Sequence, residues 1–267
     1  MREFSADYLR YTREGMWADS REALSDLDLP NRERVLDAGC GTGELTRVIA
    51  EELDGGAVVG LDADPGLLAH ARDLPVVAGD ATRLPFRDGV FDLVVCQALL
   101  INLPDPGRAV RDFRRVSSDL VAAVEPDNAA VTIESTVGSE PPLEARARRA
   151  YLSGVDTDVT LGADAGDLFE AAGLRDVRTH RYDHVRVVEP PYSEDALAAA
   201  RRKATGAALE DDRATFTAAI SDEAFDDLRS EWRAMGRDVV AAMQEGDYRR
   251  EETVPFYVTV GRVPDGG

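Results

Sequence analysis

The chain has 267 residues, of which 44% are apolar, enough for a sizeable core in one large α/β domain with insertions or one domain plus a small cap. Its net charge of −20 argues against a nucleic-acid partner, which calls for basic stripes. No run of about 18 apolar residues occurs, which excludes a hydrophobic membrane-spanning helix.

Residues 1–30 carry helix-like periodicity with aromatics at Phe4, Tyr8, Tyr11 and Trp17, broken at Pro30-Asn31. Short apolar runs then alternate with helical stretches. Strands are predicted over 34–38, 57–61, 75–78, 91–96 and 119–125, and helices over 44–52, 65–72 and 106–116. Such β-α-β alternation implies a parallel sheet with helices on both faces. After Glu125 the rhythm changes: 127–142 reads as irregular, 144–152 and 164–172 as helices, and 176–188 as a long sixth strand. Residues 193–246 read as highly charged helices and 253–263 as a closing seventh strand. A crossover of that length is no plain loop, so 193–249 is expected to be a helical cap inserted between strands 6 and 7. The N-terminus lacks an apolar signal-peptide core, which predicts a cytoplasmic protein. Cys40 and Cys96 stand outside any metal-ligand spacing and are expected as small buried hydrophobes, with no metal site and no disulfide.

The first strand runs through Asp37 into Gly39-Cys40-Gly41-Thr42-Gly43 and then a helix. Glycines allow a sharp turn and let a ligand lie against the backbone without a Cβ clash. A pyrophosphate-binding G-x-G-x-x-G loop needs glycine at 44, where Glu44 stands, and a carboxylate at the helix start repels phosphate. The ligand is therefore read as a nucleoside without phosphates. Asp62 ends the second strand, where an acid can accept from both ribose hydroxyls. Asp80, after the third strand, can accept from an adenine amino group, and Gln97 ends the fourth strand beside the ligand crevice.

Val-Leu-Asp-Ala-Gly-Cys-Gly-Thr-Gly at 35–43, Gly-Leu-Asp-Ala-Asp-Pro at 60–65, Gly-Asp-Ala-Thr-Arg-Leu-Pro-Phe at 79–86 and Phe-Asp-Leu-Val-Val-Cys at 91–96 closely resemble class I S-adenosylmethionine (SAM)-dependent methyltransferases, above all the small-molecule branch that includes quinone-biosynthesis enzymes. The resemblance covers 31–126. It implies a Rossmann-like, seven-stranded, mostly parallel doubly wound α/β sheet, with core residues 31–192 and 250–263 and with segment 1–30 covering the cofactor. It implies a methyl transfer from SAM to a small-molecule acceptor, leaving S-adenosylhomocysteine. By the same resemblance Gly39, Gly41 and Gly43 line the methionine part, with Cys40 inside that loop. Asp37 meets the amino group. Asp62 and Ala63 hold ribose and adenine, Asp80 and Ala81 hold adenine, Gln97 follows the methionine, and Tyr11 is the candidate for the carboxylate.

Catalytic roles stay open. His180 and His184 share a strand face with Tyr182 and could supply a general base, or form an ordinary packed face. Glu125, in Glu-Pro-Asp-Asn, and Asn102 could position a substrate or simply build turns. Arg201-Arg202-Lys203 reads as a solvated face or a greeting for an anionic substrate, and Trp232 and Met235 read as core. His70 is expected to be inert. The alternatives to a small-molecule methyltransferase are a SAM-binding homologue without activity, a nucleotide-dependent oxidoreductase, and a methyltransferase acting on a macromolecule. The oligomeric state is open, a homodimer included. Finally, the acidic excess with Lys203 as single lysine resembles proteins of halophiles, although a GC-rich genome also favours arginine.

Overall fold

The computed structural model describes residues 16–19 and 21–264. Of the N-terminal aromatics, Phe4, Tyr8 and Tyr11 lie outside these residues. A short helix α1 (Met16–Asp19) and two 3₁₀ turns (Arg21–Leu27, Leu29–Asn31) precede the first strand.

Strands β1 (Arg34–Ala38), β2 (Ala57–Asp62), β3 (Val76–Ala78), β4 (Phe91–Gln97) and β5 (Ser117–Pro126) are parallel, in the order β3-β2-β1-β4-β5. The central strands β1, β4 and β5 are buried almost throughout, as a parallel sheet covered on both faces requires, and β4 runs Phe-Asp-Leu-Val-Val-Cys-Gln with only Asp92 half-exposed, whereas β3 at the sheet edge is half-buried to exposed. The order reverses between β1 and β4, which opens a crevice at the carboxyl ends of these two strands. Helix α2 (Glu44–Glu52) buries Leu45, Val48 and Ile49 at helical spacing. Helix α3 (Pro65–Leu68) is shorter than the predicted 65–72. Helix α4 (Pro106–Val116) starts where the Asp105 side chain accepts from the Arg108 N–H, and it buries Ala109, Val110, Phe113 and Val116. Its Phe113 joins Leu36, Leu61, Val94 and Val121 in one apolar core.

The sheet has eight strands among the described residues, not seven. The addition is β6 (Thr132–Ser135), within a stretch read as irregular, which pairs antiparallel with β8 (Arg250–Arg262). Four residues with Thr, Glu and Ser leave too short an alternation to register as a strand, and the long β8 supplies the partner. The Phe256–Arg262 part of β8 pairs antiparallel with β5, and β7 (Arg175–Val188) also pairs with β8.

The chain divides into two compact units. The first comprises residues through Asp127, Thr157–Tyr182 and Pro255 onward, and includes helix α6 (Ala165–Ala171). The second comprises Asn128–Asp156 and Asp183–Val254. It contains α5 (Glu140–Ser153), α7 (Glu194–Thr205), α8 (Ala207–Glu210), α9 (Arg213–Ala219) and α10 (Asp222–Glu245). Its core gathers Leu143, Phe216, Phe225, Trp232, Met235 and Val239. Beside that core lies a buried charge cluster. Glu140, fully enclosed, accepts from Lys203, from Tyr248 Oη at 3.0 and 3.1 Å, and from Ser135 Oγ at 2.6 Å. Glu144 accepts from Lys203 at 2.6 Å. Lys203 is therefore neither solvated nor available to greet a substrate: it neutralises two buried carboxylates, as desolvated charges require. Arg202, by contrast, is an exposed partner of Asp211.

Candidate active site

The candidate site is built where β1, β2, β3 and β4 end on the same sheet edge. After β1 the backbone turns with Gly39, Gly41 and Gly43 at φ of 75°, 58° and 87°, values that side-chain-bearing residues rarely adopt. The turn is clipped to β2, since Gly39 N–H and Cys40 N–H both donate to the Leu61 carbonyl, at 2.6 and 3.0 Å. Space is also limiting. A Cβ on Gly39 would lie 2.7 Å from Leu99 Cδ1, and one on Gly60 would lie 2.8 Å from Cys40 Sγ. Cys40 thus packs its thiol over β2, and what it can offer a ligand is backbone.

Two acids flank the loop at its base. Asp37 is buried and accepts from Thr46 Oγ1 at 2.6 Å, tying the end of β1 to α2. Glu44, in the first turn of α2, accepts from the Thr42 hydroxyl. The helix end that would meet a phosphate is thus already met by a carboxylate.

Asp62 is half-buried at the end of β2. One oxygen accepts from Gly41 N–H at 2.8 Å and the other from Asp64 N–H at 2.9 Å. Each oxygen retains a second lone pair, so the carboxylate can still take a pair of vicinal hydroxyls. Ala63 beside it is exposed. Asp80, also exposed, uses one oxygen to accept from the Thr82 N–H and hydroxyl, both at 2.8 Å. Those bonds hold its carboxyl below the usual range, so it is a dependable acceptor at neutral pH. Ala81 is buried. Gln97, 2% exposed at the end of β4, donates to Met16 Sδ at 3.1 Å, so α1 reaches the same strand end. A glycine cradle without room for a Cβ, a carboxylate offering two acceptors and a second acid on the next strand together form a donor-poor, acceptor-rich set. That set suits a nucleoside with a cationic, amine-bearing tail and does not suit a nucleotide.

The four catalytic candidates separate. Asn102 is half-buried and donates to the Ala98 carbonyl at 2.7 Å. Glu125 is wholly buried, and Leu99, Leu100 and Ile101 all donate their N–H groups to it, at 3.0, 2.8 and 3.4 Å. Burial pushes its carboxyl up to about 7, against the lowering effect of these bonds. His180 is half-exposed on β7, 3.2 Å from Asp26, and β8 and β5 stand between its strand and β4. At roughly 5 Å per strand that is well removed from the glycine turn. His184 is buried in the second unit. Sequence reasoning missed Leu99 and Thr46. Leu99 had no signal beyond being apolar; Thr46 lies one turn into a helix beside the strand-end acid, a spacing that could have flagged it.

Residues 36–119 match the family model for a methyltransferase domain. That segment is similar to methyltransferase domains. The segment is 44% identical over 100 residues to a demethylmenaquinone methyltransferase of Mycolicibacterium vanbaalenii, covering 37% of this chain and 42% of that one. It is 39% identical over 93 residues to a malonyl-[acyl-carrier protein] O-methyltransferase of Geobacter sulfurreducens, covering 32% and 35%. The matched segment spans less than half of these relatives' length. In fold the chain resembles a Bacillus halodurans protein described as a methyltransferase, with a TM-score of 0.55, 16% identity and coverage of 93% and 100%. It also resembles the methyltransferase in a complex with the Haloferax volcanii Trm112 activator, with a TM-score of 0.51, 20% identity and coverage of 97% and 96%. Among the described residues no helix is long and apolar enough to cross a membrane.

Proposed function

We propose that the protein transfers a methyl group from SAM to a small-molecule acceptor. The observation that carries this reading is the glycine turn at 39–43 with Asp62 at the next strand end, inside a segment that matches a methyltransferase domain. In this reading Gly39, Gly41 and Gly43 line the methionine part, and Asp37 orders the amino end through Thr46. Asp62 with Ala63 takes the ribose, Asp80 with Ala81 the adenine, and Gln97 and Tyr11 close the methionine side. The sulfonium of SAM supplies an already activated methyl. The chain's own task is then to hold an acceptor nucleophile in line and keep water away. The small-molecule class is supported by relatives named for demethylmenaquinone and for malonyl-[acyl-carrier protein]. We assign no metal to the reaction, no nucleic acid to the acceptor, and a cytoplasmic location.

The test is isothermal calorimetry with S-adenosylhomocysteine, at low and at molar salt. Binding in at least one condition is expected, with Asp62→Ala at least tenfold weaker. No binding in either condition overturns the reading, and unchanged affinity in Asp62→Ala removes that residue from the site.

A further inference from the structure

The loop that leaves β4 makes an abrupt turn. Ala98 has φ of 48°, in the left-handed region that a residue with a Cβ enters only when its surroundings hold it there. Its N–H donates to the Val124 carbonyl at 2.9 Å and its carbonyl accepts from Asn102 Nδ2 at 2.7 Å. The next three residues open the 3₁₀ turn Leu100–Asn102, and all three N–H groups point at one carboxylate, that of Glu125 on the neighbouring strand. Helical N-termini ordinarily find such acceptors in a capping side chain next in sequence. Here the acceptor comes from 24–26 residues away and is wholly enclosed. The turn so held aims the Leu99 side chain at Gly39, where its Cδ1 occupies the space a Cβ would need. One face of the glycine turn is therefore a leucine whose backbone is fixed by Glu125.

The geometry points to Glu125 as a positioning residue for the cofactor pocket: by gripping the Leu99–Ile101 N–H groups it sets the Leu99 wall of the Gly39 turn. It touches neither cofactor nor acceptor and acts only through the loop. This rests on the methyltransferase reading of the glycine turn. It also accounts for an acid that no proton-transfer role explains, since every nearby donor is structural. What the role requires is an acceptor oxygen, not a negative charge. Glu125→Gln keeps one such oxygen and Glu125→Leu keeps none.

S-adenosylhomocysteine is titrated into the wild type and each variant by calorimetry, beside thermal unfolding of the same samples. Glu125→Gln is expected to bind within about threefold of wild type and Glu125→Leu at least tenfold more weakly. Leu99→Ala is expected to bind about fivefold more weakly, and its effect should vanish in the Glu125→Leu background, as shared action through one loop requires. A folded Glu125→Leu with wild-type affinity overturns the proposal, as does additivity of the two effects. Should Glu125→Leu fail to fold, Glu125→Asp, which withdraws the oxygens by one methylene, takes its place in the same cycle. Failure of the wild type to bind at all counts instead against the methyltransferase reading.

Discussion

Glu125 is a carboxyl group in an apolar place, and its titration should be visible in the stability of the fold. Burial raises it from 4.5 to about 7, while its backbone donors pull the other way. A carboxyl whose folded value lies above its unfolded one holds its proton more tightly in the folded state. Its contribution is complete below about pH 4.5 and is lost as the pH rises towards 7. Over that interval the loss amounts to roughly 3 kcal/mol. The adjoining Cys96 thiol, 3.8 Å away, is pushed well up by burial and by Glu125 and Asp37, so it stays neutral over this range. Urea unfolding of wild type and Glu125→Gln at pH 5 and pH 8 checks the sign: relative to the variant, wild type should lose about that much between the two. A difference independent of pH would show that the buried carboxyl does not titrate there. Asp62 and Asp80 were legible in the sequence because each ends an apolar run of strand length, and their side chains lie at that edge in the structure. Glu125 was not, since Glu-Pro-Asp-Asn after a strand is turn chemistry, and nothing local tells that an acid will be enclosed by N–H groups from the loop that follows the neighbouring strand. Lys203 failed similarly: beside two arginines it reads as surface, and its two carboxylates come from a helix 59–63 residues away.

At the scale of elements, the packing of α7 against α10 turns on one position. Gly236 is buried within α10, and a Cβ there would lie 2.3 Å from the Ala204 backbone nitrogen and 2.4 Å from the Lys203 carbonyl carbon. The clash is with backbone, which no side-chain rotation relieves. Gly236→Ala gains helix propensity worth about 1 kcal/mol but must push the helices apart. Overpacking of this kind costs about 1–3 kcal/mol or more. Net destabilisation of at least 1 kcal/mol is therefore expected in denaturant unfolding, and a stabilised variant would show that the two helices do not approach so closely. Helix α10 was readable because Phe225, Leu228, Trp232, Met235 and Val239 recur at helical spacing between Ser221, whose hydroxyl accepts from Ala224 N–H, and Gly246 at the left-handed C-terminal position. The start of α5 was misread because Pro141-Pro142 looks like a breaker. Prolines lack an N–H that the first helical turn does not use, so the pair opens this helix. The helix predicted over 65–72 stops at Leu68, beyond which the backbone tightens into turns closed by His70 N–H to the Leu67 carbonyl and Ala71 N–H to the Leu68 carbonyl.

For the molecule as a whole, the response to salt is set by charge. With Lys203 as the single lysine, nearly every cation is an arginine, and many sit in exposed pairs such as Arg21 with Glu51 and Glu52, Arg47 with Asp73, and Arg213 with Asp222 and Asp226. Exposed pairs of this kind contribute little each and weaken in salt. Against them stands a net charge of −20, whose self-repulsion also weakens in salt. The two effects oppose, and the excess of carboxylates over cations decides for repulsion. The unfolding temperature should therefore rise with sodium chloride. The shape of the rise identifies its cause. The Debye length is about 10 Å at 0.1 M and about 3 Å at 1 M, so relief of repulsion acts mostly below roughly 0.5 M. A surface adapted to molar salt should add a further rise beyond that point, where screening is exhausted and exclusion of the salt from the surface strengthens burial. Differential scanning calorimetry from about 0.05 to about 3 M separates these outcomes. A plateau above roughly 0.5 M would favour an acidic, arginine-rich protein of no special salt requirement, and a falling unfolding temperature would mean that the arginine pairs outweigh the net charge.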